Sequence, residues 1–294
     1  MSTPEQTPVP SPPEPAPEAP PVDDANDLRG FHFARLMKKT LTRILIVVFV
    51  LAAGIGGAVG VGPVIGLIAA AAALLIAVGI VFAIADSKAA DSFFEVYAQQ
   101  RGLSLGGRGR LPAATPLLRK GDDRYAERTL SGTLADGLEG TLAIYTYEEE
   151  TRDSDGNKQT SYYKYTLGLV EVPECVEHVP ELYCQRKFGF RALEKFEDVF
   201  RGSKERVKLE SEVLDDKYEI FAKEGQDAVW LRQLFAPTFI VWLTDSAPEK
   251  FVFELVNGTL CCYVHGHKEN AADLDAITVA TAAVAKRLRD EANE

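Results

Sequence analysis

The chain has 294 residues and a formal net charge of −11, with 4 cysteines and 4 histidines. The charge is segregated: residues 1–28 carry only acids, residues 29–43 only bases, and the bulk of the acidity falls on 131–294. An acidic domain beside a short basic collar argues against a nucleic-acid partner, because phosphate binding needs a cationic face.

Residues 1–28 are dominated by Pro, Glu, Ala, Ser and Thr. Such a segment buries too little apolar surface to offset its ordering entropy, so an acidic, proline-rich, disordered tail is expected. Thr3, Thr7 and Ser11 each precede a proline, and Pro17-Glu18-Ala19-Pro20 fits a PxxP pattern, but a solvated spacer accounts for all of them. The opening also lacks the short basic region of a secretory signal. In residues 29–43 the cations Arg29, Arg35, Lys38, Lys39 and Arg43 interleave with Phe31, Phe33, Leu36, Met37 and Leu41. That pattern predicts a basic juxtamembrane helix whose cations meet the anionic headgroups of a lipid bilayer.

Residues 44–85 contain no charged side chain. One span needs roughly 20 apolar residues to cross a hydrocarbon core of ~30 Å. The stretch is about twice that length and is broken once, at Gly60-Val61-Gly62-Pro63. It therefore predicts a transmembrane helical hairpin, spans 44–61 and 64–85, turning at Gly60, Gly62 and Pro63. Ala52, Gly56 and Gly60 recur every fourth residue, as do Ala69, Ala73 and Ala77. Small residues at this spacing let two backbones approach closely, which predicts a helix pair and leaves a homo-oligomeric contact open. Cations flank both outer ends of the hairpin and its turn has none. Positive-inside bias then predicts a multi-pass plasma-membrane protein with both termini cytoplasmic and its cysteines in a reducing compartment.

Residues 86–110 read as a juxtamembrane helix and linker. Phe93, Phe94 and Tyr97 fall at helical spacing, Gly102 stops the helix, and Gly106-Gly107-Arg108-Gly109-Arg110 reads as a flexible basic loop without the Lys-Ser/Thr of a phosphate-binding loop. Residues 111–294 read as a cytoplasmic α+β domain. Strands are expected at 141–149 and 160–172 around the turn Asp153-Ser154-Asp155-Gly156-Asn157. That turn is not a calcium loop, because Lys158 and Lys164 stand where the EF-hand glycine and bidentate acid belong. A helix over 191–201, strands over 206–210 and 217–222, and a helix over 226–235 follow; 238–243 fits either helix or strand. Asn257-Gly258 marks a hairpin between 251–256 and 259–264. A closing helix over 271–292 carries Leu274, Ile277, Thr281, Val284 and Leu288 at steps of three and four, for packing on the sheet or for a coiled-coil contact with another subunit. The expected class is α+β: an N-terminal two-helix transmembrane hairpin, then a mainly antiparallel β-sheet domain with packed helices and a C-terminal helix.

The runs Thr115-Pro116-Leu117-Leu118-Arg119-Lys120-Gly121-Asp122, Glu139-Gly140-Thr141-Leu142 through Tyr147, Trp230-Leu231-Arg232 through Trp242-Leu243, Phe253-Glu254-Leu255-Val256 and Gly266-His267 resemble those of an uncharacterised bacterial family. Its members look like two-span membrane proteins with a C-terminal cytoplasmic domain of unknown function. The resemblance implies the same layout for 44–290 and no particular activity.

Few residues point to chemistry. Cys261, Cys262, His265, His267 and Glu269 form a possible zinc set, but consecutive strand residues such as Cys261 and Cys262 point to opposite faces. Cys184 with His178 is a conceivable nucleophile and base, and no Gly-x-Ser-x-Gly elbow occurs. Trp230 and Trp242 are expected in the core, unless Phe235, Phe239 and Trp242 are exposed as a partner or lipid groove. No catalytic, cofactor or metal residue is assigned. The expected function is a membrane-anchored, non-enzymatic binding or scaffold module with an unidentified protein partner. The alternatives are a membrane-tethered enzyme and an accessory subunit of an oligomeric membrane complex.

Overall fold

The computed structural model describes residues 23–154, 156–187 and 204–293. Most of the expected tail and the whole helix expected at 191–201 lie outside the described residues. Helix α1 (Ala25–Lys38) is capped by the Asp24 side chain and ends where Lys39 turns extended. Helix α2 (Thr40–Gly60) follows at once, and α3 (Pro63–Arg101) returns over 39 residues. Gly62 joins them at φ 138°, a conformation that a side chain disfavours. Pro63 follows in the first turn, where its missing N–H has no helical partner to lose. Left-handed Gly102 ends α3, and the Leu103 N–H donates back to the Ala98 carbonyl at 2.9 Å.

Among the described residues, the remaining chain builds one antiparallel sheet of nine strands: β1 (Ser104–Gly106), β2 (Asp123–Thr133), β3 (Glu139–Arg152), β4 (Lys158–Glu171), β5 (Glu181–Arg186), β6 (Lys204–Val207), β7 (Tyr218–Lys223), β8 (Val252–Val256) and β9 (Thr259–His265). Their order is β1-β2-β3-β4-β9-β8-β5-β7-β6. The β8–β9 hairpin, turning at Asn257-Gly258, pairs β9 with β4 and β8 with β5, so it joins the two halves of the sheet. Short helices α4 (Glu212–Lys217), α5 (Ala228–Leu234) and α6 (Pro237–Val241) and a π-turn (Trp242–Ser246) precede it, and α7 (Ala271–Ala292) closes the described chain.

Strand alternation divides the interior in two. On one face Leu142, Ile144, Leu182, Phe253, Leu260 and Cys262 join the buried stripe of α7 and Phe93, Phe94 and Tyr97 of α3. Helix α7 lies so close to β4 that a Cβ on Gly168 would stand 2.4 Å from the Thr281 hydroxyl. On the other face Tyr145, Tyr147, Tyr165, Cys261 and Tyr263 pack under Leu117 and Leu118. The α+β architecture is therefore the expected one, with strands β1, β2 and β5 and helix α4 added.

Two segments depart from expectation. Residues 23–28 are part of the fold: Ala25 and Leu28 are buried, the Ala25 N–H donates to the Glu269 carbonyl, and the Ala271 N–H donates to that of Asp23. Two apolar side chains and two backbone bonds suffice to order what composition alone reads as tail. The glycine-rich loop is pinned as well, because Gly109 and Ala126 exchange backbone hydrogen bonds and Arg108 lies 3.6 Å over the Tyr125 ring. The junction at 86–110 is accordingly no linker: the end of α3 is core, so the domain begins inside that helix. The aromatics at 235–242 meet expectation: Phe235 and Phe239 are buried and Trp242 packs half-buried against them, so they build core.

Candidate functional site

The hairpin closes through small residues. Gly54 and Gly57 of α2 meet Gly66, Ala69 and Ala70 of α3; a Cβ on Gly57 would lie 3.0 Å from the Gly66 Cα, and one on Gly66 would lie 2.6 Å from the Gly54 carbonyl. Ala69 lies in this interface and Ala73 and Ala77 are buried further along α3. Ala52, Gly56 and Gly60 are exposed, and Gly56 and Gly60 have nothing near their Cβ positions. The packed face of α2 is thus the neighbouring one. With Ala52, Ala53, Gly54, Gly56, Gly57, Ala58 and Gly60 all small, a four-residue repeat runs through more than one face. Gly62 and Pro63 form the turn, and Gly60 is the last residue of α2.

The outer faces of both helices are apolar and uncovered: Val59, Leu67 and Leu75 are 84%, 74% and 75% exposed. Thr40–Gly60 and the α3 helix are each long and apolar enough to cross a membrane, and little of the most apolar stretch of either is buried in the protein. A contiguous apolar surface of this kind needs lipid or protein cover.

The five collar cations separate into distinct environments. Arg29 pairs with Asp86 and, at 3.1 Å, with Glu269, which ties α1 to α3 and to the start of α7. Arg43 donates from Nε to the Met37 carbonyl at 2.6 Å, and Lys38 is exposed. Arg35 and Lys39 line a cavity of about 350 Å³ between α1 and α3, together with His32, Leu36, Lys88, Asp91 and Ser92. His32 Nε2 lies 3.3 Å from the Ser92 hydroxyl. Burial, then the charges of Arg35 and Lys88, hold the His32 pKa below its ordinary value. Asp91 pairs with Arg128 of β2 at 2.5 Å.

A second polar lock fastens α3 to α7. The Tyr97 hydroxyl donates to Asp275 at 2.8 Å, and Arg101 Nε donates to the same oxygen at 2.7 Å. Burial pushes Asp275 up, but the bonds from Arg101 and Tyr97 outweigh it and hold the carboxyl below its ordinary value.

The possible zinc set does not converge. Cys261 and Cys262 lie on opposite faces, His267 Nε2 is 3.1 Å from the Thr146 hydroxyl and 3.2 Å from the Tyr145 carbonyl, and Glu269 pairs with Arg29. Among the described residues no three His, Cys, Asp or Glu side chains are grouped to hold a metal. Cys184 is fully buried in the main core, whereas His178 stacks on Trp230 at 5.7 Å. All four thiols are free and buried, and burial raises each, Cys175 to about 11.

Sequence reasoning missed Glu254. This carboxylate is fully buried on the tyrosine-rich face, accepting from the Leu117 N–H at 3.1 Å and the Tyr263 hydroxyl at 3.0 Å. It thereby holds the 111–120 segment against the sheet. Burial raises its pKa despite these bonds. A lone acid within the apolar run Val252-Phe253-Glu254-Leu255-Val256 was the available signal.

No protein-family model matches this chain, and no curated protein matches it. Among solved structures the chain is similar to the crystal structure of the mycobacterial trehalose monomycolate transport factor A, TtfA, at 9% identity and a TM-score of 0.40, over 67% of this chain and 90% of that one.

Proposed function

We propose that this chain is an integral membrane protein whose α+β domain serves, on the cytoplasmic side, as a non-enzymatic binding or scaffold module held against the bilayer. The observation that carries this reading is the course of α3. Its first half has an uncovered apolar surface, and the same unbroken helix then contributes Phe93, Phe94 and Tyr97 to the domain core. Such a helix transmits position: the domain sits at a fixed height and angle over the membrane, which suits presenting a surface to a membrane-proximal partner. A groove of about 520 Å³ between α4 and α6, with Val213, Pro237, Ile240 and Val241 in its lining, is a surface of the required kind.

Two measurements on the full-length chain in its own membrane test this. A thiol introduced as Ser154→Cys, in the β3–β4 turn, reacts with an impermeant reagent in inside-out vesicles only; labelling from the outside contradicts the orientation. A photo-crosslinker at Val241 yields a discrete protein adduct. Substrate turnover by the purified full-length protein in a hydrolase and transferase screen would overturn the non-enzymatic reading. A second reading, an accessory subunit in an oligomeric membrane complex, is favoured by the exposed line Ala52, Gly56 and Gly60, which leaves a close-approach face toward the lipid. Crosslinking that finds only monomers in bilayers removes it.

A further inference from the structure

The cavity between α1 and α3 lies at the edge of the apolar surface. The Gly54–Ala70 and Gly57–Gly66 contacts set the antiparallel register of α2 against α3. Continued down the pair, this register places the start of α2, next to Lys39, beside the last exposed apolar residues of α3, Phe82 and Ile84. Lys88 stands about one turn further on. The cavity therefore opens where hydrocarbon gives way to headgroups.

Its charge is one-sided. Arg35, Lys39 and Lys88 form no ion pair among the described residues, whereas Arg29 is engaged by Asp86 and Glu269. The single acid in the lining, Asp91, already has Arg128 as its partner. What remains is a pocket with three unneutralised cations, a hydroxyl at Ser92, an imidazole at His32 and an apolar wall at Leu36. Its volume of about 350 Å³ is that of a small-ligand site. Oxyanions fit such a donor set, with the guanidinium and two ammonium groups supplying charge-assisted bonds.

We propose that this cavity binds the phosphate of an anionic membrane lipid, seated by Arg35, Lys39 and Lys88 with hydrogen bonds from Ser92 and His32. The lipid source follows from position: the mouth lies at bilayer level, and Leu36 gives the glycerol end an apolar wall. A bound lipid would pin α1 to α3 on the membrane side, opposite the contacts of residues 23–29 with α7. The proposal rests on α2 and α3 being membrane spans, and its failure is separable from failure of that premise.

The test uses the full-length chain in nanodiscs of phosphatidylcholine with and without phosphatidylglycerol, reading retained lipid by native mass spectrometry. The wild type retains phosphatidylglycerol in preference to phosphatidylcholine. Arg35→Gln, Lys39→Gln and Lys88→Gln each weaken retention by about fivefold. Lys38→Gln and Arg43→Gln, outside the cavity, remove only diffuse attraction and weaken it clearly less. An equal loss in those two would overturn the proposal, because it would show diffuse attraction without a pocket. So would inorganic phosphate in neutral detergent displacing the lipid at equal affinity, which would make the ligand a soluble anion. A protein that inserts into nanodiscs but shows no lipid preference defeats this proposal alone; a protein that does not insert defeats the premise with it. His32 supplies an independent readout. It faces Arg35, Lys39 and Lys88, with Asp91 and its partner Arg128 beyond, and a phosphate seated among them raises its pKa, seen by NMR. An unchanged imidazole titration on adding phosphatidylglycerol would contradict the site.

Discussion

The two ends of α3 are held by opposite means. In the hairpin, the glycines of α2 and α3 meet the backbone and the alanine methyls of the facing helix at close range. At the domain end, three large aromatics are buried and charged groups are fastened from outside: Arg29 to Asp86 and Glu269, and Tyr97 and Arg101 to Asp275. On the proposed reading, with the hairpin in a bilayer, the difference follows from the solvent each end would meet. Lipid gives apolar side chains no reason to associate, so close packing has to do it. Water rewards burial of aromatics and tolerates ion pairs at the margin. One helix therefore has two independent stabilities, and each can be attacked without the other.

The largest expected effect is at the domain end. Phe93→Ala removes a fully buried ring and should cost about 3–5 kcal/mol. Thermal unfolding of the domain should move down while the hairpin stays in the membrane fraction; release of the chain from membranes would contradict the separation. The converse experiment is Gly66→Val, whose side chain meets the Gly54 carbonyl and Ala58. It should cost about 1–3 kcal/mol in hairpin pairing, lowering intramolecular crosslinking between α2 and α3 and leaving the domain melt in place.

A smaller effect attaches to the margin. Asp275→Asn weakens the Tyr97 and Arg101 bonds, and with the carboxyl side chain 45% exposed the loss should be about 1 kcal/mol. Because Asp275 is held below its ordinary value, its contribution is present above that value and disappears as pH falls through the lowered one. The variant should flatten the acid limb of stability against pH. The smallest effect is expected at Glu254, whose raised pKa reverses the sign: its contribution is full at acid pH and is lost as pH rises through the raised value. Glu254→Gln keeps an acceptor for Leu117 and removes a desolvated charge, so stability at neutral pH should change by less than about 1 kcal/mol. A strong loss would show that the carboxylate charge itself is required.

Periodicity carried much of this architecture. The uncharged run with its Gly-Pro break, the Asn257-Gly258 hairpin and the Leu274 to Leu288 stripe are local patterns, and each corresponds to an element of the structure. What stayed hidden depends on contacts distant in sequence. Strand β2 alternates poorly, since Arg124 and Arg128 reach a backbone carbonyl and Asp91. Residues 23–28 look like tail until Glu269 and Asn270 are placed beside them. The packed face of α2 was illegible because nearly every position there is small. The α1–α3 cavity joins residues of the basic collar to residues some fifty positions on, and no local pattern announces such a meeting.

Hydrogen–deuterium exchange along α3 in the full-length protein, embedded in a bilayer, tests the central claim most directly. A helix that runs unbroken from membrane to core predicts one continuous protected block through residues 84–92, merging lipid-shielded amides with core amides. Rapid exchange confined to that stretch would reveal a hinge, and a hinged domain would contradict the fixed presentation on which the account depends.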